Sequence, residues 1–70
     1  MNNVCTYHIQ IEGQVAEDEI NATSTLQMML ERIDTAATLF SVCTDQSGLI
    51  GLLRHLHARG LVLLSVHRER

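Results

Sequence analysis

"TSTLQMMLERID", residues Thr23 to Asp34, is the stretch on which the fold turns, and it supports two readings. As a helix, Ser24 caps it with Gln27 three residues on, a capping-box pattern in which each side chain satisfies a free backbone N–H. Leu26, Met29, Leu30 and Ile33 then fall on one face, at the i, i+3, i+4, i+7 spacing of an amphipathic helix. As a strand, Leu26, Met28 and Leu30 alternate with Gln27 and Glu31, although Met29 and Ile33 interrupt the polar side. The local pattern leans to the helix.

Outward from this stretch the signals are clearer. Downstream, "TLFSVC" (Thr38 to Cys43) is short and rich in β-branched and aromatic residues, which predicts a strand. Upstream, in "CTYHIQIEG", Cys5, Tyr7, Ile9 and Ile11 alternate with Thr6, His8, Gln10 and Glu12 up to Gly13, a strand with one apolar and one polar face. Between them, Gln14 to Ala22 is acidic and reads as a short helix or a loop. Beyond Cys43, Asp45 suits a helix N-cap, and Leu49, Leu52, Leu53 and Leu56 share one helical face. Gly60 stands where a left-handed C-cap belongs, and Leu61 to His67 follows as a strand.

The expected elements are strands at about 4–12, 26–33, 38–43 and 61–67, with the main helix at about 46–59. If 26–33 is a strand, it joins 38–43 as a hairpin across "DTAA". The chain, residues 1–70, is then a single small α+β domain, a ferredoxin-like βαββαβ with one antiparallel four-stranded sheet. If residues 24–34 are helical, a three-stranded sheet remains. The ferredoxin-like strand order 4-1-3-2 puts Cys5 and Cys43 at one end of the sheet as unbridged near neighbours.

Seventy residues make one small domain with a marginal core. Apolar residues at 46% place it among globular chains, and with only Tyr7 and Phe40 aromatic the core must be aliphatic. A net charge of −3, no lysine and two aromatics argue against nucleic-acid binding, which needs a cationic stripe and stacking platforms. The one basic cluster, Arg68–Glu69–Arg70, reads as a solvated tail. No apolar run is long enough to span a membrane, and the N-terminus has no signal-peptide pattern. Two isolated cysteines do not make a disulfide framework. The expected location is therefore cytoplasmic, with reduced thiols.

The C-terminal third, "DQSGLIGLLRHLHARGLVLLSV", resembles a family of short uncharacterised bacterial proteins. The resemblance lies in the pair Asp45-Gln46 opening a helix, the pair Leu52-Leu53, basic residues around Arg54 and Arg59, and the closing Gly60 to Val66. "YHIQIEG" also resembles the family's start, whereas the tryptophans the family carries between Gln14 and Ile33 are missing here. The resemblance implies a small α+β sheet with a hairpin ahead of Asp45, tips 26–33 toward a strand, and implies no activity. More distantly, Asp45, Gly48 and Leu49 are similar to the Asp-x-x-Gly-Leu turn of ACT regulatory domains, near which small ligands such as amino acids bind. Those domains place the turn after their first strand and usually carry proline where this chain has Ser47.

Candidate sites are few. Asp45, Gln46, Ser47 and Gly48 form a candidate ligand-binding turn, since a helix N-terminus offers free N–H groups to an anion. The competing reading is that Asp45 simply caps the helix and fills that position itself. Gly48 and Gly51 each cost the helix about 1 kcal/mol relative to alanine, so close packing or a ligand must offset them. His55 and His57 are two apart on a helix and cannot chelate one ion; His8 and His67 fall on different strands with no evident third ligand. No metal or cofactor is expected. Neither cysteine has an activating neighbour, no nucleophile, nucleotide or phosphate motif occurs, and the chain reads as non-enzymatic.

What remains is an apolar surplus. In the segment from Thr38 to Cys43 and again in that from Leu61 to His67, both alternating sets are largely apolar, and one helix layer covers only one sheet face. Leu39, Phe40, Leu61 and Leu63, with Ile50 on the helix flank, are the expected interface of a homodimer or a protein partner. The expected function is a self-associating interaction or regulatory module. Its rival is an ACT-like sensor of a small metabolite at Asp45–Gly48.

Overall fold

The computed structural model describes residues 4–22, 24 and 26–69; Thr23, Thr25 and Arg70 of the segments discussed above lie outside the described residues. Six elements follow in order: β1 (Cys5–Glu12), α1 (Glu17–Asn21), β2 (Met29–Ile33), β3 (Ala37–Thr44), α2 (Gln46–Ala58) and β4 (Leu63–Arg68). The strands form one sheet ordered β2-β3-β1-β4 with every neighbouring pair antiparallel. This is the ferredoxin-like βαββαβ arrangement.

The deciding stretch is a strand, but only from Met29 onward. Ser24 does not cap a helix. Its hydroxyl turns back on Leu26, accepting from that residue's N–H at 3.2 Å and donating to its carbonyl at 2.8 Å. Asn21 at the end of α1 then accepts from the Met28 N–H and donates to the Met28 carbonyl, both at 2.8 Å. A side chain so placed mimics a neighbouring strand and uses the backbone groups a helix would need. Met28 is fully buried, which anchors the segment where the helical pattern would have put its solvent side. The expected strand at 26–33 is therefore shortened by three residues at its start.

The core lies between the sheet and its two helices. Tyr7, Ile9 and Ile11 of β1 stand opposite Val42, Phe40 and Thr38 of β3, and paired residues share a face. Leu49, Leu52 and Leu56 of α2, with Ile20 of α1, Val15 and Met28, close over that face. Thr38, the buried polar residue among them, is satisfied by its neighbours: its hydroxyl donates to the Gly13 carbonyl at 2.7 Å and accepts from the Val15 N–H at 3.0 Å. The loop leaving β1 is thereby tied to β3.

α2 ends as its sequence predicts. Gly60 has φ +84°, the Gly60 N–H donates to the His57 carbonyl and the Leu61 N–H to the Leu56 carbonyl. That pair of bonds is the Schellman ending, which also sets Leu61 against the helix.

Cys5 stands opposite Thr44 and Cys43 opposite Thr6. The cysteines are neighbours along adjacent strands as expected, yet on opposite faces, and no disulfide joins them.

Candidate functional site

The Asp45 turn is already filled by the chain's own atoms. Asp45 is the N-cap of α2; its Oδ1 accepts from the Gly48 N–H at 2.8 Å and from the Ser47 hydroxyl at 3.2 Å. A Cβ on Gly48 would collide with Thr44 Oγ1 and lie 3.1 Å from Asp45 Oδ1. Gly48 is thus required by the approach of the last residue of β3, and the space it leaves is taken by a threonine side chain. Gly51 is different: a Cβ there meets nothing within 4 Å. Gln46 and Ser47 are exposed on the first turn, and the Ser47 hydroxyl is turned to Asp45.

The residues expected at an interface divide between the two faces of the sheet. Phe40 is fully buried and belongs to the core, opposite Ile9, so it offers no surface to a partner. Leu61 and Leu63 also pack on the core instead of away from it. A β-bulge explains Leu63: the β1–β4 register shifts between Gln10 and Ile11, so Leu63 pairs with Ile11 while Ser65 pairs with Gln10. An extra residue in one strand reverses which side chains face the helices. Leu39 lies half-buried on the helix-free face, and Ile50 is exposed on α2. The exposed aliphatic residues near the C-terminus are instead Val62, Leu64 and Val66.

The helix-free face is polar, contrary to the apolar face expected from the strand composition. Thr6, His8, Gln10 and Glu12 of β1 share it with Leu39, Ser41 and Cys43 of β3. β4 adds Ser65 and His67, opposite Gln10 and His8. A shallow depression of about 390 Å³ lies here, lined by Arg32 of β2 as well as by Arg68 and Glu69. His8 Nε2 lies 2.7 Å from Glu69 Oε1, the Ser65 hydroxyl donates to Gln10 Oε1 at 3.2 Å, and Ser41 donates to Glu31 Oε2 at 2.7 Å. The side chains are thus largely paired with one another. Sequence spacing could not assemble this group, because its members come from all four strands; the alternation of polar residues in β1 was its one visible trace.

Among the described residues no group of three His, Cys, Asp or Glu is placed to hold a metal ion. His8 and His67 do stand opposite each other, as separate strands allowed. No helix among the described residues is long and apolar enough to cross a membrane.

A family model described as a domain of unknown function, DUF8691, matches residues 6–67, a span running from β1 almost to the end of β4. No curated protein and no solved structure matches the chain.

Proposed function

Because the chain belongs to the DUF8691 family, whose description carries no activity, we propose from its surface that it is a non-catalytic, self-associating interaction or regulatory module of the cytoplasm. One observation carries the reading: Val62, just before β4, and Leu64 and Val66 within it are 50%, 48% and 40% exposed at the margin of the sheet. Burying a large aliphatic side chain is worth about 1.5–3 kcal/mol, and these retain nearly half of their surface in water. A domain of this size is stable by about 5 kcal/mol, so covering three such residues is a substantial gain. A second copy of the chain is the simplest cover, and closed two-fold pairing is its commonest form.

The rival reading, a metabolite sensor at Asp45–Gly48, has less support, since Asp45 is engaged in capping and Thr44 occupies the space beside Gly48. The solution mass tests the first reading and should exceed that of the 7.8 kDa chain at micromolar concentration. Thermal-shift screening against amino acids and nucleotides tests the second, since a ligand stabilises what it binds. A raised melting temperature that Asp45→Ala abolishes would favour the sensor.

A further inference from the structure

The two edges of the sheet are not alike. An edge strand turns the N–H and C=O of every second residue outward, where they template pairing with another chain. On β2 the beginning of that edge is engaged. The Leu30 N–H donates to Glu17 Oε2 at 2.8 Å, and Asn21 takes both the N–H and the carbonyl of Met28 just before the strand. α1 is thus a plug at the start of that edge.

β4 has no such plug. The Glu69 N–H donates inward to the Thr6 carbonyl at 2.8 Å, and pairing with β1 is regular from Arg68 back to Ser65. By alternation His67 and Ser65 also face β1, and Val66 and Arg68 present their N–H and C=O outward. Among the described residues no side chain bonds those outward groups. The open backbone coincides with the exposed side chains of Leu64 and Val66.

We propose that β4 is the self-association edge: two copies pair their β4 strands antiparallel, with the two-fold axis beside Val66, and join their sheets into one. This deepens the self-association reading and rests on it. With the axis there, Val66 meets Val66 of the second copy, Leu64 meets Arg68, and Ser65 meets His67. Each outward residue in such a pair exchanges two backbone hydrogen bonds. The aliphatic stem of Arg68 covers Leu64 while its guanidinium stays in water. Antiparallel pairing also carries the charged ends, Arg68 and Glu69, to opposite ends of the interface; parallel pairing would stack Arg68 on Arg68. The hollow lined by Gly60, Leu61, Val62 and Leu63 lies at the start of the same strand. Glu69 of the second copy arrives opposite Leu63, beside that hollow.

Amide exchange by NMR on the unmodified chain, at low and high concentration, tests the edge directly. In the dimer the Val66 and Arg68 amides should slow at least tenfold as concentration rises. The inward-facing His67 and Glu69 amides should change far less. Val66→Lys, which leaves the inward ladder intact, should sediment as one chain with an unchanged far-ultraviolet spectrum. Fast exchange at Val66 and Arg68 in a sample that sediments as two chains would overturn the β4 edge while leaving self-association standing. So would a Val66→Lys variant that remains a dimer. A wild-type mass of one chain at about 100 µM, well above the concentration where mass action favours a stable pair, would overturn both.

Discussion

Alanine substituted separately at Gly48 and Gly51 tests whether the first turn of α2 is built for packing. Both residues lie within the same helix. By helix propensity alone, each substitution stabilises by about 1 kcal/mol. Their surroundings separate them. At Gly51 a Cβ enters open space, so Gly51→Ala should stabilise by about 0.5–1 kcal/mol. At Gly48 the new Cβ collides with Thr44 Oγ1, lies 3.5 Å from Thr44 Cβ and crowds the capping oxygen of Asp45 at 3.1 Å. Thr44 is buried and β-branched, so it has little freedom to turn aside. An off-rotamer side chain costs about 0.5–1.5 kcal/mol, and losing an N-cap costs about 0.5–2 kcal/mol. These together exceed the propensity gain, leaving Gly48→Ala destabilised by about 1 kcal/mol. The gap between the two variants is then about 2 kcal/mol, or about 10 °C in melting temperature for a domain of this size. Urea titrations and thermal melts would measure it. A Gly48→Ala protein as stable as Gly51→Ala would refute the reasoning and reopen the space beside Asp45 to a ligand.

Asp45→Ala should destabilise by about 0.5–2 kcal/mol in the same titrations, because its carboxylate holds the Gly48 N–H; an unchanged midpoint would deny it the capping role. Asn21→Leu removes two hydrogen bonds to the Met28 backbone and should cost about 1–3 kcal/mol. It should also raise the concentration-dependent light scattering of the protein, since the β2 end is unplugged; scattering equal to wild type would argue against that protection. Thr38→Val keeps the shape but strands the Val15 N–H and the Gly13 carbonyl, and a loss of about 1–3 kcal/mol is expected. Faster amide exchange at Val15 should accompany it, and an unaltered rate there would show that water satisfies the loop instead.

Where local chemistry and tertiary packing agreed, the elements were legible. The alternation of Cys5 to Glu12, the cap at Asp45 and the glycine at 60 each carry a short-range cause, and β1 and α2 appear within one residue of their expected bounds. The occupant of the Asp45 turn was half legible. The cap could be read from Asp45 itself, but the reason for Gly48 is Thr44, whose side-chain direction depends on how β3 enters the helix.

By itself the sequence determined that this is a small aliphatic α+β domain, where its clearest strands and helix lie, and how α2 begins and ends. These follow from periodicity, caps and backbone freedom, which act over a few residues. Tertiary structure decided the rest. The segment after Ser24 is extended because Asn21 and the buried Met28 hold it, against its own helical spacing. Phe40 and Leu63 face the core because strand pairing and one bulge set which way each side chain points, while Val62, Leu64 and Val66 stay exposed at the margin of the sheet. A shift of one residue reverses a strand's faces, and when both faces carry aliphatic residues the sequence holds no signal to choose between them.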